Sequence, residues 1–178
     1  MSPTGTSRCA VLLRGINVGR HNRLAMADLR VLLADLGCRD VTTHLNSGNA
    51  VVTADPDGLA ERVAAALPVR VPVVVFTAAE LREAVENCPW SERARTSPKQ
   101  VHVGYLDRPL STKEVDRLGT RHGDDEVAVG RRVLYLSYAG PSTGSPLEAA
   151  FTRARTDVVL TTRNWSTATR LVDLTRSP

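Results

Sequence analysis

The sequence is short of the residues that usually advertise a function. Cysteine occurs three times, at Cys9, Cys38 and Cys88, far apart and without a Cys-x-x-Cys pair. That argues against a disulfide framework or a zinc site and fits buried thiols in a reducing cytoplasm. Aromatic residues make up 4% of the chain. So few leave little material for the base-stacking platforms of RNA-recognition folds. No apolar run approaches the roughly 20 residues of a membrane helix. The start, "MSPTGTSRCAVLLRG", lacks a positive region followed by a long apolar core, so it does not read as a secretory signal. A cytoplasmic protein with no membrane partner is expected. Lysine is nearly missing: of 23 basic residues only Lys99 and Lys113 are lysines. Richness in arginine, alanine and valine reads as a codon bias toward G and C, which makes any single arginine weak evidence for phosphate binding. No carboxylate pair and no set of metal ligands stands out, so no metal is expected.

What is present is an ordinary globular composition. The 178 residues are 42% hydrophobic with a net charge of +4, enough for one domain or two small ones. Residues 9–13 form a short apolar run that reads as a buried strand. After the loop "RGINVGRHNRLAM", Met26, Leu29, Leu33 and Leu36 recur at helical spacing, and Gly37 ends that helix. Residues 41–45 and 50–53 read as strands around the turn "NSGN". Asp55 as cap and Pro56 at the first helical position open a second helix, and "VPVVVF" is a buried strand. The order β-α-β-β-α-β is that of the split β-α-β, or ferredoxin-like, unit.

Thr77 and Glu80 form a capping box for a connecting helix, and the polar stretch "NCPWSERARTSPKQ" marks a boundary. In the second half, Ser111 and Glu114 cap one helix and Ser145 and Glu148 another, with strands at 100–106 and on either side of Gly130 and Arg131. The second half repeats β-α-β-β-α in outline and closes on a helix from "TTRNW" onward. The expected fold is α+β: two ferredoxin-like subdomains with antiparallel sheets, over residues 1–88 (with the connecting helix) and 99–178.

In a split β-α-β unit the chain direction decides which loops share an end. Residues 14–23, 46–49 and 68–70 are expected at one end of the first sheet. Gly15 and Gly19 let the backbone turn and present N–H groups, and concave runs of such groups bind anions. Asn17 and Asn49 carry both donors and acceptors. Arg14, at the strand end, suits bidentate contact with phosphate or carboxylate. A second candidate is "TTRNW", where Thr161, Thr162 and Asn164 stand at an expected helix start that favours anions, with Arg163 adding charge. The competing reading makes the glycines and asparagines turn formers, caps the last helix with Thr162 or Asn164, and packs Trp165 in the core.

Together, "LLRGINVGRHNRLAMADLRVLLADLGCRDVTTHLNSGNAVV" and "TTRNWSTATRLVDL" resemble the bacterial domain-of-unknown-function family 1697, over residues 11–174. The resemblance implies an α+β protein of two ferredoxin-like subdomains and no established activity. The residues it carries over are Arg14, Gly15, Asn17, Gly19, Ser47, Gly48, Asn49, Thr162, Arg163, Asn164 and Trp165. The chain departs from the family at Pro146-Leu147, where a Lys-Leu pair is common. A ligand role for that lysine would fall here to Arg153 or Arg155.

Three functions compete. The first is a binding module for a small anionic ligand, a nucleotide or phosphorylated metabolite, held by Arg14, Gly15, Asn17, Gly19, Ser47, Gly48, Asn49, Thr162, Arg163 and Asn164. The second is contact with a nucleic-acid phosphate backbone, encouraged by a pI of 9.3. The third is an enzyme with His21 or His44 as general base, although no spacing couples either to a nucleophile. No particular cofactor is indicated. The acidic run 124–126 reads as a solvated turn. The loop chemistry favours the first function.

Overall fold

The computed structural model describes residues 5–19, 21–154 and 157–176. Arg20, in the glycine loop, and Arg155 lie outside that set. Within it, the chain divides into two compact units: one runs up to Arg82 and resumes at Arg170, and the other is Glu83–Thr169.

The first unit holds β1 (Ser7–Leu13), α1 (Met26–Asp35), β2 (Arg39–His44), β3 (Asn49–Ala54), α2 (Leu59–Ala66) and β4 (Val73–Thr77). Its sheet has the order β2-β3-β1-β4, and every neighbouring pair is antiparallel. Alternation along β1 sends Cys9, Val11 and Leu13 to one face, where they join Leu29 and Leu33 of α1 and Leu59 and Val63 of α2 in one core. Each fully buried Leu or Val contributes about 1.5–3 kcal/mol, which holds both helices on that face. Ala10 and Leu12 fall on the opposite face and are also fully buried. There Arg8 reaches the carbonyl of Leu174 at 2.9 Å, so residues after Arg170 close part of this second face. Helix α2 begins later than expected. Asp55 Oδ1 accepts the Asp57 N–H at 3.1 Å and Gly58 turns left-handed, so "DPDG" is a turn and Leu59 opens the helix.

Helix α3 (Ala78–Glu86) crosses from the first unit into the second. Its capping box is formed as read: the Thr77 N–H donates to Glu80 Oε2 at 2.9 Å, and the Glu80 N–H to Thr77 Oγ1 at 3.3 Å. A short α4 (Ser91–Thr96) follows, inside the stretch expected to be a polar boundary. Next come β5 (Val101–Leu106), α5 (Thr112–Leu118), β6 (Arg121–His122), β7 (Asp125–Val129), β8 (Val133–Ser137), α6 (Pro146–Ala154), β9 (Leu160–Asn164) and α7 (Trp165–Arg176). The second sheet has the order β6-β7-β8-β5-β9, again with every neighbouring pair antiparallel. The fold is α+β with two antiparallel sheets.

Two expectations for this half are corrected. The half does contain a further strand: β9 pairs along β5 from Leu106↔Leu160 to His102↔Asn164. Thr161 points inward and is almost fully buried, and β-branched threonine suits a half-buried edge strand. The acidic turn is only partly solvated. Asp125 is buried, and its Oδ1 accepts the Ala139 N–H at 2.9 Å.

Candidate functional site

Strand register builds the first site. Leu12 lies opposite Asn49, Leu13 opposite Val73 and His44 opposite Asn49. The exits of β1 and β2 and the entries to β3 and β4 therefore share one end of the first sheet. Three connections meet there, over residues 14–25, 45–48 and 67–72. The Leu13 N–H donates to the Gly48 carbonyl at 2.8 Å, and the Arg14 N–H to the Pro72 carbonyl at 3.0 Å.

Much of the polar character of these loops is spent on holding them together. Asn17 Nδ2 donates to the carbonyls of Leu24 and Asn46, both at 2.8 Å. Its Oδ1 accepts the Leu24 N–H at 2.9 Å. Asn17 is left-handed at φ +55°, a conformation asparagine tolerates better than most residues. Asn49 is fully buried, and its Nδ2 donates to the His44 carbonyl at 3.0 Å and to Ser47 Oγ at 2.9 Å. Gly48 combines φ +77° with a close approach: a Cβ there would lie 2.7 Å from Leu13 Cβ. Gly15 and Gly19 also turn left-handed, with open space around them. These residues shape the end of the sheet.

The charged groups of these loops that face solvent are cationic. Arg14, Arg23 and Arg70 are exposed, and the three connections contain no Asp or Glu. A fourth arginine comes from α7: the charge of exposed Arg170 reaches His44, whose pKa is lowered first by burial and then by that charge. Among the described residues none of these four side chains has an ion pair or hydrogen bond. Some arginines elsewhere are engaged, as Arg8 is with Asp40 and Leu174, Arg93 with Tyr138 and Arg108 with Glu114; among the described residues exposed Arg82, Arg117 and Arg131, like these four, have neither kind of bond. An open depression of about 570 Å³ lies at this end, lined by Asn17, Arg23, Leu24, Ala25, Met26 and Asn46. Its size is that of a small-molecule site. His21 is exposed, and neither it nor His44 has a side-chain hydrogen bond to a nucleophile among the described residues. No group of three metal-ligating residues occurs among them either.

The second candidate stretch lies in the other unit, on different local structure from that expected. Thr161, Thr162 and Arg163 belong to β9, and the helix begins only at Trp165. Asn164 Oδ1 accepts the Thr167 N–H at 2.9 Å, so Asn164 caps α7. Arg163 donates to Thr161 Oγ1 and to the Thr162 carbonyl, both at 2.8 Å. Burial lowers its pKa, opposed by the Tyr105 phenol. Trp165 is buried, as the core reading expects. At the departure from the family pattern, Pro146 opens α6, Leu147 is fully buried and Arg153 is exposed.

The sequence profile described as "Protein of unknown function (DUF1697)" matches residues 6–135. The chain belongs to the DUF1697 family. Among solved structures, the conserved bacterial protein SP0830 from Streptococcus pneumoniae is similar, with a TM-score of 0.73 at 23% identity. The match covers 96% of this chain and 99% of that one, a likeness of fold. No curated protein matches. In this DUF1697 chain the carried-over residues fall into two sets. Arg14 to Gly19 and Ser47 to Asn49 gather at one end of the first unit, and Thr162 to Trp165 lie in the second. Sequence reasoning missed Arg23, Arg70 and Arg170. The first two were findable from the lack of acids in their loops. No local pattern marks Arg170.

Proposed function

We propose that the arginine-bearing loop end of the first unit binds a small phosphate-bearing ligand, a nucleotide or phosphorylated metabolite. The observation that carries this reading is the set of four exposed arginines, Arg14, Arg23, Arg70 and Arg170, with no hydrogen bond or ion pair among the described residues, around loops without a carboxylate. Guanidinium groups bind phosphate through short charge-assisted hydrogen bonds, often two at once. Leu24, Ala25 and Met26 supply an apolar floor beside Arg23, an arrangement suited to a ligand with one charged and one apolar part. Asn17, Ser47, Gly48 and Asn49 act by fixing the loops, while Gly15 and Gly19 keep backbone N–H groups near the arginines. The proposal is confined to the first unit. The local bonds of Thr162, Arg163 and Asn164 give them a structural task there.

A thermal-shift series with ATP, GTP, ADP and sugar phosphates tests it. A ligand at 100 times its Kd stabilises the native state by about 2.7 kcal/mol, which raises the Tm of a chain this long by about 5–11 °C. Arg23→Ala and Arg14→Ala should abolish the shift and leave the unliganded Tm unchanged. The proposal fails if no compound shifts the Tm at millimolar concentration, or if both variants respond as the parent does.

A further inference from the structure

Resting on that reading of the arginine-rich end, we propose that its phosphates can belong to a nucleic-acid duplex, gripped along the backbone without regard to base sequence. The cations are spread out. Of the four arginines only Arg23 lines the depression. Arg14 stands at the exit of β1, Arg70 two residues before the Pro72 carbonyl that the Arg14 N–H meets, and Arg170 on α7, within electrostatic reach of His44. Arginines placed beyond the depression can meet further phosphates of a row. The side-chain amide of Asn17 and the Nδ2 of Asn49 are engaged by the protein itself, so these groups are not available to read base edges. The three connections also hold no Phe, Tyr or Trp. Single strands are usually held by stacking bases on such rings, whereas a duplex arrives with its bases already stacked. Two aliphatic side chains stand out from the same loops, Val18 at 71% and Leu45 at 60% exposure. The small-ligand reading gives them no task. Against a duplex they enter the minor groove, where aliphatic side chains wedge at base steps.

Fluorescence anisotropy with a labelled mixed-sequence 20-base-pair duplex tests the inference, across 50–200 mM NaCl. Neutralising four phosphates gives a log–log salt slope of about −3.6, a loss of about 150-fold in affinity over that range. Arg14→Ala/Arg70→Ala should halve the slope to about −1.8. Val18→Ser/Leu45→Ser should weaken binding and leave the slope alone. Arg117→Ala/Arg131→Ala, which removes exposed arginines of the second unit, should change neither. An unchanged slope in Arg14→Ala/Arg70→Ala, or tighter binding of a single-stranded dT20 than of the duplex, overturns the inference. If ATP protects the protein but the duplex does not bind at 50 mM salt, the inference falls and the small-ligand proposal stands. If neither binds, both fall.

Discussion

Replacing Asn17 by alanine should cost more stability than its place on a surface loop suggests. The side chain makes three hydrogen bonds, two to Leu24 and one to Asn46. Leu24 is itself only 5% exposed, so its N–H and carbonyl lose a partner that water replaces poorly. Bonds of this kind contribute about 0.5–1.5 kcal/mol each, with a further penalty where a buried group is left unpaired. The backbone adds a second effect, because alanine at φ +55° costs on the order of 1 kcal/mol more than asparagine. The total is about 2.5–5.5 kcal/mol, or a Tm lowered by roughly 5–22 °C for a chain of this size. Asn17→Gly separates the two causes: it relieves the backbone strain and still loses the amide, so it should fall between parent and Asn17→Ala. Urea unfolding followed by circular dichroism gives the free energies. If Asn17→Ala unfolds within 0.5 kcal/mol of the parent, the usual range of an unconstrained surface change, the loop is not held by this residue and the account of the site's architecture is wrong.

Two further outcomes follow from single residues. Gly48→Ala combines left-handed strain with a Cβ placed 2.7 Å from Leu13 Cβ and should cost about 2–4 kcal/mol, read as a drop in the urea midpoint; parent-like stability would show that the hairpin closes some other way. Glu114 is bonded by Arg108 and by Ser111, with Arg108 the largest cause, and its carboxyl is held well below the usual carboxylate range. A folded pKa below the unfolded one gives stability that is complete above the ordinary carboxylate pKa of about 4.3 and fades as pH falls through the lower folded value. The Tm gap between parent and Glu114→Gln should therefore narrow from pH 5 to pH 2, and a constant gap would contradict the pairing.

The parts of the fold legible from sequence were those written in local chemistry. The apolar run of β1 and the two capping boxes at Thr77 and Ser111 are each decided within a few residues, and all three are present. What was missed depends on distant partners. The stretch "TTRN" reads as the start of a helix until β5 lies beside it and Thr161 is enclosed. Asp125 reads as solvated because its partner, the Ala139 N–H, is a backbone group 14 residues away. The site divides in the same way. Its glycines and asparagines could be picked out by their turn chemistry, but whether their amides face a ligand or the protein is settled by where Leu24 and Asn46 fall. Arg170 could not be found at all, since it reaches the site from the other end of the chain.

That return of the chain also bears on how the protein is made. The first unit has all four strands once Thr77 is synthesised, yet the carbonyl that Arg8 needs belongs to Leu174. The chain from 83 to 169 comes between, which at 5–20 residues per second takes a ribosome about 4–17 s. For that interval the sheet face bearing Ala10 and Leu12 lacks part of its cover. An uncovered apolar face on a nascent chain is where chaperones bind and neighbouring chains adhere. A slowed ribosome anywhere in the second unit would prolong the exposure of the first, so synonymous codon changes there would lower the yield of a unit whose own codons are untouched.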